Sequence, residues 1–335
     1  MIPRTIATWQ SKSWQEELAT LVKEPETLFE LLELPETHLS AAKHAHALFP
    51  LRSTRAYLSR IKPGDLNDPL LKQILPMGLE CHEQEGFVTD PLHEAEQNPV
   101  PGLIHKYQGR VLLISSHQCA INCRYCFRRH FDYQGQRHDK DAWQHSLDYI
   151  ANDNSISEAI LSGGDPLSIS DKALNAQISD LAQIPHLKRL RVHSRLPIVA
   201  PSRITPELLR MLSESRLHSV LVIHCNHPQE IDQEVRDALC CVRENGITLL
   251  NQSVLLKGIN DDANTLEQLS ETLFECGVLP YYLHLVDKVS GVAHFHVNED
   301  KARSLHKALL ATLPGYLVPK LVKELPHAPS KTPIM

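Results

Sequence analysis

The residues best suited to chemistry are three closely spaced cysteines, Cys119, Cys123 and Cys126. Three thiolates on one loop can bind three irons of a four-iron, four-sulfur cluster. Because the run contains no fourth cysteine, one iron of such a cluster would stay open to bind another molecule. The alternative is a structural zinc site with His117 or His130 as fourth ligand, since zinc accepts three cysteines and one histidine. The spacing predicts a metal centre, and only the cluster interpretation implies catalysis.

A second candidate site is the glycine pair Gly163 and Gly164, followed by Asp165. Adjacent glycines let a backbone approach a ligand closely, and the exposed amide and carbonyl groups can bind an amino group or a carboxylate. The same residues also suit an ordinary tight turn from a strand to a helix. The ligand-site interpretation is favoured because the pair ends the strand that follows the cysteines in the sequence.

The elements that must position these residues alternate between strands and helices. Apolar, branched runs predict six strands at 111–115, 159–162, 189–193, 219–224, 247–255 and 281–286. Helical patterns lie between them at 142–151, 172–181, 206–213, 230–245 and 265–276. Such strands pair in parallel, because parallel strands need long crossovers. The pattern predicts an α/β fold, a partial (βα)6 barrel open on one side, with its site at the carboxyl ends of the strands.

The order of these patterns divides the chain into three regions. Residues 1–100 predict short helices separated by prolines, beginning with a capping box at Ser13 and Glu16. Residues 101–300 carry the strand-helix units. Residues 301–335 form a C-terminal segment, whose expected role comes from the resemblance described below.

The composition excludes several classes of protein. The 335 residues carry a net charge of −6 without a basic stripe that would neutralise phosphates, so binding of DNA or RNA is disfavoured. The sequence begins without an apolar signal core and has no run of about eighteen apolar residues, so we expect a cytoplasmic protein, neither exported nor membrane-spanning. Eight cysteines at this length are not a disulfide framework. We expect five of them to be small buried apolar residues: Cys81, Cys225, Cys240, Cys241 and Cys276.

The cysteine spacing, with Tyr125 just before the third cysteine, resembles the radical S-adenosylmethionine superfamily. In that superfamily the methionine amino and carboxylate groups of S-adenosylmethionine bind the open iron, and a segment like 163–165 binds the amino group. Residues 100–335 also resemble the lysine 2,3-aminomutase family, which needs pyridoxal phosphate as well. The fragments that carry this resemblance are 107–110, 126–129, 162–167, 193–195, 224–228, 251–256 and 281–295.

The resemblance implies cofactor roles for individual residues. Lys331 matches the family lysine that carries pyridoxal phosphate, so the segment 301–335 is expected to close over the strand ends. From physical chemistry alone, a lysine this near the terminus would be a solvated tail residue. Tyr107 and Arg110 match residues of the cofactor site. The family's glycine run before this lysine is replaced here by 327–330, which should be stiffer.

The resemblance also implies a substrate site. Arg128 matches the ligand of the substrate carboxylate, for which a guanidinium fork is well suited. Its alternatives are a phosphate contact or plain surface charge. Asp287 and Glu324 match two acids that hold the distant ammonium of lysine. The family usually has aspartate at the position of Glu324, a difference of about one methylene that makes substrate preference less secure than reaction type.

The implied activity is an L-lysine 2,3-aminomutase that yields (R)-β-lysine, with a reductant such as flavodoxin or ferredoxin for the cluster. The sequence ends at Met335 without the C-terminal extension of longer family members, which leaves the oligomeric state open. It most resembles the short bacterial members that supply β-lysine to the lysyl-ligase acting on elongation factor P.

Two alternatives remain open from the sequence. The same machinery could act on another amino acid such as glutamate, although a second substrate carboxylate would call for a basic residue where Asp287 and Glu324 are acids. The other is a non-catalytic iron-sulfur scaffold that binds a translation factor. Visible absorbance of bound pyridoxal phosphate would distinguish an enzyme from a scaffold.

Overall fold

The computed structural model describes residues 13–132 and 140–335, so residues 1–12 of the predicted helical region and 133–139 of the predicted core lie outside it. The described strands form one nine-stranded sheet in the order of the sequence. They are β1 (Leu103–Tyr107), β2 (Arg110–Ser116), β3 (Glu158–Gly163), β4 (Arg189–Ser194), β5 (His218–Ile223), β6 (Thr248–Leu255), β7 (Leu279–Leu285), β8 (Lys320–Lys323) and β9 (Thr332–Pro333).

Strands β2 to β8 are parallel to their neighbours, whereas β1 and β9 pair antiparallel at the two edges. Across the described strands, no pairing joins β9 back to β1, which agrees with the predicted partial barrel. The six predicted strands are confirmed as β2 to β7. The sequence pattern does not predict β8, because four residues are too few to show a periodicity.

Helices connect and cover these strands. The described α-helices are α1 (Trp14–Ala19), α2 (Pro25–Leu31), α3 (Leu39–Leu48), α4 (Arg55–Leu58), α5 (Pro69–Lys72), α6 (Lys140–Asn152), α7 (Asp171–Ala182), α8 (Leu196–Val199), α9 (Pro206–Ser213), α10 (Gln233–Glu244), α11 (Ala263–Glu275) and α12 (Glu299–Thr312). Short 3-10 helices are Glu36–His38, Gly78–Cys81, Glu94–Gln97, Pro166–Ser168, Pro201–Arg203, Pro228–Glu230, Ala293–Phe295 and Gly315–Leu317. Side chains of Ser170, Thr205 and Asp232 cap the first turns of α7, α9 and α10, so local sequence fixes where these helices begin. None of the described helices has the length and hydropathy to cross a membrane.

The helical region before residue 100 shares its core with the sheet. Its buried residues, such as Leu28 and Leu70, belong to one apolar cluster with Leu113 of β2 and Leu190 of β4. Burial of apolar surface is the main source of stability in such a core. The boundary near residue 100 is therefore a change of secondary structure within a shared core.

Candidate active site

Two loops meet at the carboxyl ends of β2 and β3. The cysteine loop, residues 117–128, begins directly after β2, and the glycine turn, residues 163–165, ends β3. The amide of Asp165 donates a hydrogen bond to the carbonyl of Gln118 at 2.8 Å. The glycine turn therefore supports the cysteine loop by direct backbone contact.

The two glycines are required by this contact. A Cβ on Gly164 would lie 2.5 Å from the Gln118 carbonyl oxygen, which no real side chain tolerates. Gly163 has a φ of +108°, and a Cβ there would lie 2.7 Å from the carbonyl oxygen of Ser116. Glycine is thus needed for the approach of two protein backbones. A further contact of this turn with S-adenosylmethionine stays a prediction.

The side chains of the three cysteines of this loop are partly buried. Burial raises the pKa of Cys119 well above its usual range, and the negative charges of Asp165 and the other cysteines raise it further. Burial, and then the charge of Cys123, raises the pKa of Cys126 to about 11. Thiolates are therefore unfavourable here without a bound cation. This donor set suits a cationic iron centre, which stabilises the deprotonated sulfurs.

The spacing of possible ligands argues against zinc. Zinc-sulfur bonds of about 2.3 Å in a tetrahedron place the sulfurs about 3.8 Å apart. Over residues 13–132 and 140–335, the one group of three ligand atoms that all lie within 4.8 Å of one another is the exposed set His93, Glu96 and His327. That set contains no cysteine. At least one pair of the three cysteine sulfurs is therefore more than 4.8 Å apart, which is wider than a single zinc ion requires and is compatible with the larger four-iron cluster.

The helical region holds the cysteine loop from the other side. The amide of Asn122 donates to the carbonyl of Arg52, and the amide of Arg124 donates to the carbonyl of Gln73, each at 2.9 Å. A cavity of about 600 Å³ lies between this region and the loop. Its lining includes Arg52, His117, Cys119, Cys126 and Arg128.

Arg195 is a site residue that sequence reasoning did not single out. It follows β4, is 5% exposed, and donates from Nη1 to Sγ of Cys123 at 2.7 Å. Asp165 fixes this turn, because its carboxylate accepts hydrogen bonds from Ser194 Oγ at 2.7 Å and from the amide of Arg195 at 2.8 Å. Asp165 was expected to bind S-adenosylmethionine. Its carboxylate is engaged within the protein, and the expectation stays a prediction.

The C-terminal segment returns to the sheet as a small hairpin. Strand β8 pairs in parallel with β7, and β9 turns back antiparallel on β8, with Lys323 opposite Thr332. This pairing places Lys331 beside Glu324, and Lys331 Nζ donates a hydrogen bond to Glu324 Oε1. The Lys331 side chain is only 20% exposed. Lys331 is therefore held in the protein, unlike the solvated tail residue expected from its position alone.

Glu324 joins several groups near Lys331. Its Oε2 accepts from Lys106 Nζ at 2.9 Å and from the hydroxyl of Tyr107 at 3.2 Å. Burial opposes ionisation of Glu324, but the charges of Lys331 and Lys106 outweigh it and hold the pKa well below its usual range. Glu324 is thus a carboxylate at neutral pH. Tyr107 also carries the guanidinium of Arg110 over its ring, 4.7 Å from the centroid.

Asp287 is a carboxylate without a partner among the described residues. It follows β7, and its side chain takes part in no hydrogen bond or ion pair with another described residue. Burial, and then the charge of Glu324, raises its pKa to about 7 against the opposing charges of Lys331 and Lys106. An acid of this kind gains most when a cation arrives, because the cation restores its ordinary ionisation.

Three histidines face the same charges. Burial, together with the charge of Lys331, lowers the pKa of His193 and His284 well below the usual range and that of His224 to about 3. The charges of Arg128 and Lys331 both act on His193 and His224, whose ring centroids lie 6.1 Å apart. His193 Nε2 is buried and has no hydrogen-bond partner within the part of the chain that the structure describes. A neutral ring with an orphaned nitrogen suits a polar ligand.

Arg128 is buried and bound to a carboxylate that the sequence did not suggest. Its Nε and Nη2 donate to the two oxygens of Glu94 at 2.8 and 2.7 Å. Glu94 stands in the acidic connection before β1, where nothing in the sequence separates it from solvated neighbours. The predicted role of Arg128 in binding a substrate carboxylate stays a prediction.

Comparison with known proteins gives several matches over nearly the whole chain. No protein-family model matches the sequence. An L-lysine 2,3-aminomutase of Escherichia coli (strain K12) is 48% identical over 331 residues, which are 98% of this chain and 96% of that protein. The L-lysine 2,3-aminomutase of Haemophilus influenzae (strain ATCC 51907 / DSM 11121 / KW20 / Rd) is 46% identical over 332 residues, 99% of this chain and 98% of that protein. Among solved structures, Streptococcus suis SuiB bound to precursor peptide SuiA matches with a TM-score of 0.48 and 12% identity over 62% of this chain and 46% of that chain.

Proposed function

Because the chain belongs to the L-lysine 2,3-aminomutase family, we propose that it is an isomerase that moves the amino group of L-lysine from the α carbon to the β carbon and yields (R)-β-lysine. The observation that best supports this proposal is the hairpin of β8 and β9. It brings Lys331 beside Glu324 at the strand ends, where the charges of both residues act on Asp287, an acid with no side-chain partner among the described residues.

The cofactors are a four-iron, four-sulfur cluster, S-adenosylmethionine and pyridoxal phosphate, which when bound supply the radical and electron-delocalising chemistry that an amino shift between neighbouring carbons requires. Cys119, Cys123 and Cys126 would hold the cluster, and Lys331 would hold pyridoxal phosphate. The glycine turn would contact S-adenosylmethionine. Tyr107 and Arg110 would border the pyridoxal phosphate site.

The two acids near Lys331, Glu324 and Asp287, suit the replacement of one bound ammonium group by another. Glu324 now neutralises the Lys331 ammonium. With Nζ of Lys331 holding pyridoxal phosphate, Glu324 and Asp287 would be the acids that bind the distant ammonium of a substrate. Burial excludes water that would screen these charges, so the exchange favours a diamino acid.

The carboxylate of the substrate would bind to Arg128 at the other side of the site. The neutral histidines His193 and His224 lie in the field of both Arg128 and Lys331 and add no charge that would compete for the carboxylate. A glutamate substrate fits less well, because Lys106, a base beside the acids, is already ion-paired with Glu324 at 2.9 Å.

We also propose the biological setting of the product. By its resemblance to the short bacterial members of the family, the enzyme would supply (R)-β-lysine to the lysyl-ligase that modifies elongation factor P. A cytoplasmic flavodoxin or ferredoxin would reduce the cluster, and a reducing compartment would keep the cysteines available as ligands.

The direct test is anaerobic turnover by the reconstituted full chain. The protein is incubated with L-lysine, S-adenosylmethionine, pyridoxal phosphate and a reductant, and products are identified by mass spectrometry and chiral chromatography. The expected product is (R)-β-lysine, with glutamate left unchanged. Bound iron and visible pyridoxal phosphate absorbance without conversion of lysine would contradict the proposed substrate. Bound iron without pyridoxal phosphate absorbance after reconstitution would favour the iron-sulfur scaffold.

A further inference from the structure

The acidic segment before β1 is attached to the loop that carries Asp287. This segment, residues 88–97, is here called the strap. The amide of Val88 donates to the carbonyl of Lys288, and the amide of Ser290 donates to the carbonyl of Val88, each at 2.9 Å. These bonds lie one to three residues after Asp287 in the sequence. The strap therefore begins at the proposed ammonium end of the substrate site.

The strap then reaches the proposed carboxylate end through Glu94. Both oxygens of Glu94 bind Arg128, and both side chains are 8% exposed. The Arg128 guanidinium also lies 4.8 Å from the ring centroid of Phe127. A buried bidentate pair fixes the plane of a guanidinium, whereas an exposed pair leaves it free to rotate.

Resting on the proposed function, in which Arg128 binds the substrate carboxylate, we propose that Glu94 is a positioning residue that fixes the Arg128 guanidinium for that carboxylate. A guanidinium has two edges that can each meet a carboxylate, and Glu94 takes the edge formed by Nε and Nη2. The substrate carboxylate would meet the guanidinium in the plane that Glu94 fixes. Because the strap is also bonded beside Asp287, it sets the separation between the two ends of the bound amino acid.

An alternative role for Glu94, as a competitor of the substrate carboxylate for Arg128, makes a different prediction. If Glu94 only occupied Arg128 until a substrate carboxylate displaced it, removal of the Glu94 charge would strengthen substrate binding. A positioning role requires the reverse, because an arginine without its fixed partner would meet the substrate in several orientations.

The test compares Glu94→Gln and Glu94→Asp with the wild type in steady-state turnover of lysine. Glu94→Gln should raise the KM for lysine about 10- to 100-fold, as expected for loss of a charged hydrogen-bond partner, with a much smaller change in kcat. Glu94→Asp keeps the charge and should give an intermediate KM. Inhibition by 1,5-diaminopentane, which is lysine without its carboxylate, should be unchanged. Glu96→Gln, an exposed acid of the same short helix, serves as matched control.

Each result is decisive. An unchanged or lowered KM in Glu94→Gln overturns the proposal, as does equal weakening of lysine and 1,5-diaminopentane, which indicates a general structural defect. Should Glu94→Gln fail to fold, a wild-type KM in Glu94→Asp overturns it. A wild-type enzyme that does not convert lysine at all would refute the proposed function itself, separately from the role of Glu94.

Discussion

Arg195 donates a hydrogen bond to the sulfur of Cys123 at 2.7 Å, although the two residues belong to loops that follow different strands. The arginine is held in place by Glu230 at 3.0 Å and by Gln73 Oε1 at 2.7 Å. Glu230 in turn accepts from the amide of Asn226 at 2.9 Å. A buried cation is therefore fixed against one of the three sulfur ligands proposed for the cluster.

This contact predicts a shift in the reduction potential of the cluster. A hydrogen bond from a cation to a ligand sulfur stabilises the more negative, reduced cluster and so raises its potential. Arg195→Met removes the donor while keeping an apolar side chain of similar length, and it should make the midpoint potential more negative. The measurement is a redox titration followed by electron paramagnetic resonance. Arg210→Gln, an exposed change on α9, should leave the potential unaltered, and a wild-type potential in Arg195→Met would contradict the role.

The contact between the glycine turn and the cysteine loop predicts a combined defect. From the sequence alone, Gly164→Val would lose S-adenosylmethionine binding and keep the cluster. The structure changes this expectation, because a Cβ at Gly164 would collide with the backbone at Gln118, 2.5 Å away and next to Cys119. Gly164→Val should therefore lower iron content as well as cofactor binding. Iron analysis and cluster absorbance check it against Gly315→Ala, where a Cβ meets nothing within 4 Å. Full iron content would show that the loop can adjust.

The fold was largely predictable because its signals are local. Each strand from β2 to β7 has an apolar run, and each intervening helix has a pattern of its own, so alternation alone indicates a parallel sheet. The hairpin of β8 and β9 has no such signal, since its strands have four and two residues. Lys331 was reached only by resemblance. Its burial depends on pairing with β7, which sequence periodicity does not report.

The site was predictable in its residues but less so in their partners. Sequence patterns identify the cysteines and the glycine turn because their types and spacing are unusual. Ion pairs such as Arg128 with Glu94, or the contact of Arg195 with Cys123, join residues 34 and 72 positions apart. Each partner alone looks like an ordinary charged residue, so only the fold reveals the pair.

The raised pKa of Asp287 predicts a pH dependence of substrate binding. With a pKa of about 7, this acid is mostly protonated below pH 7 and cannot then pair with an ammonium. The KM for lysine should therefore rise as pH falls, roughly tenfold between full ionisation and one unit below the pKa. His224, whose pKa is lowered to about 3, does not titrate in this range. Steady-state kinetics across this pH interval measures the effect.

Asp287→Asn tests whether this group is the source of the pH dependence. The variant should have a high KM for lysine at every pH of the series, because one partner of a buried cation is lost. Asp237→Asn, an exposed change on α10, provides the matched control and should follow the wild type. A pH profile in Asp287→Asn that parallels the wild type would place the titrating group elsewhere.

The last prediction concerns Lys331, whose position near the end of the sequence gives least reason to expect a catalytic role. Lys331→Ala should leave iron content and S-adenosylmethionine binding intact, because the contacts of this side chain within the described residues are with Glu324 and the ring of Tyr282, outside the cysteine loop and the glycine turn. It should abolish β-lysine formation and the attachment of pyridoxal phosphate that borohydride makes permanent. Lys323→Ala, which removes a lysine of the same hairpin bound to Glu299 at 2.5 Å, should keep the attachment.

Truncation after Pro329 is less specific, since it also removes the buried Ile334, whose amide donates to Leu321 at 3.0 Å. Mass spectrometry of the borohydride-treated wild type decides the matter: a pyridoxyl group on Lys331 is expected, and one found on a different lysine would mean that the hairpin does not carry the cofactor.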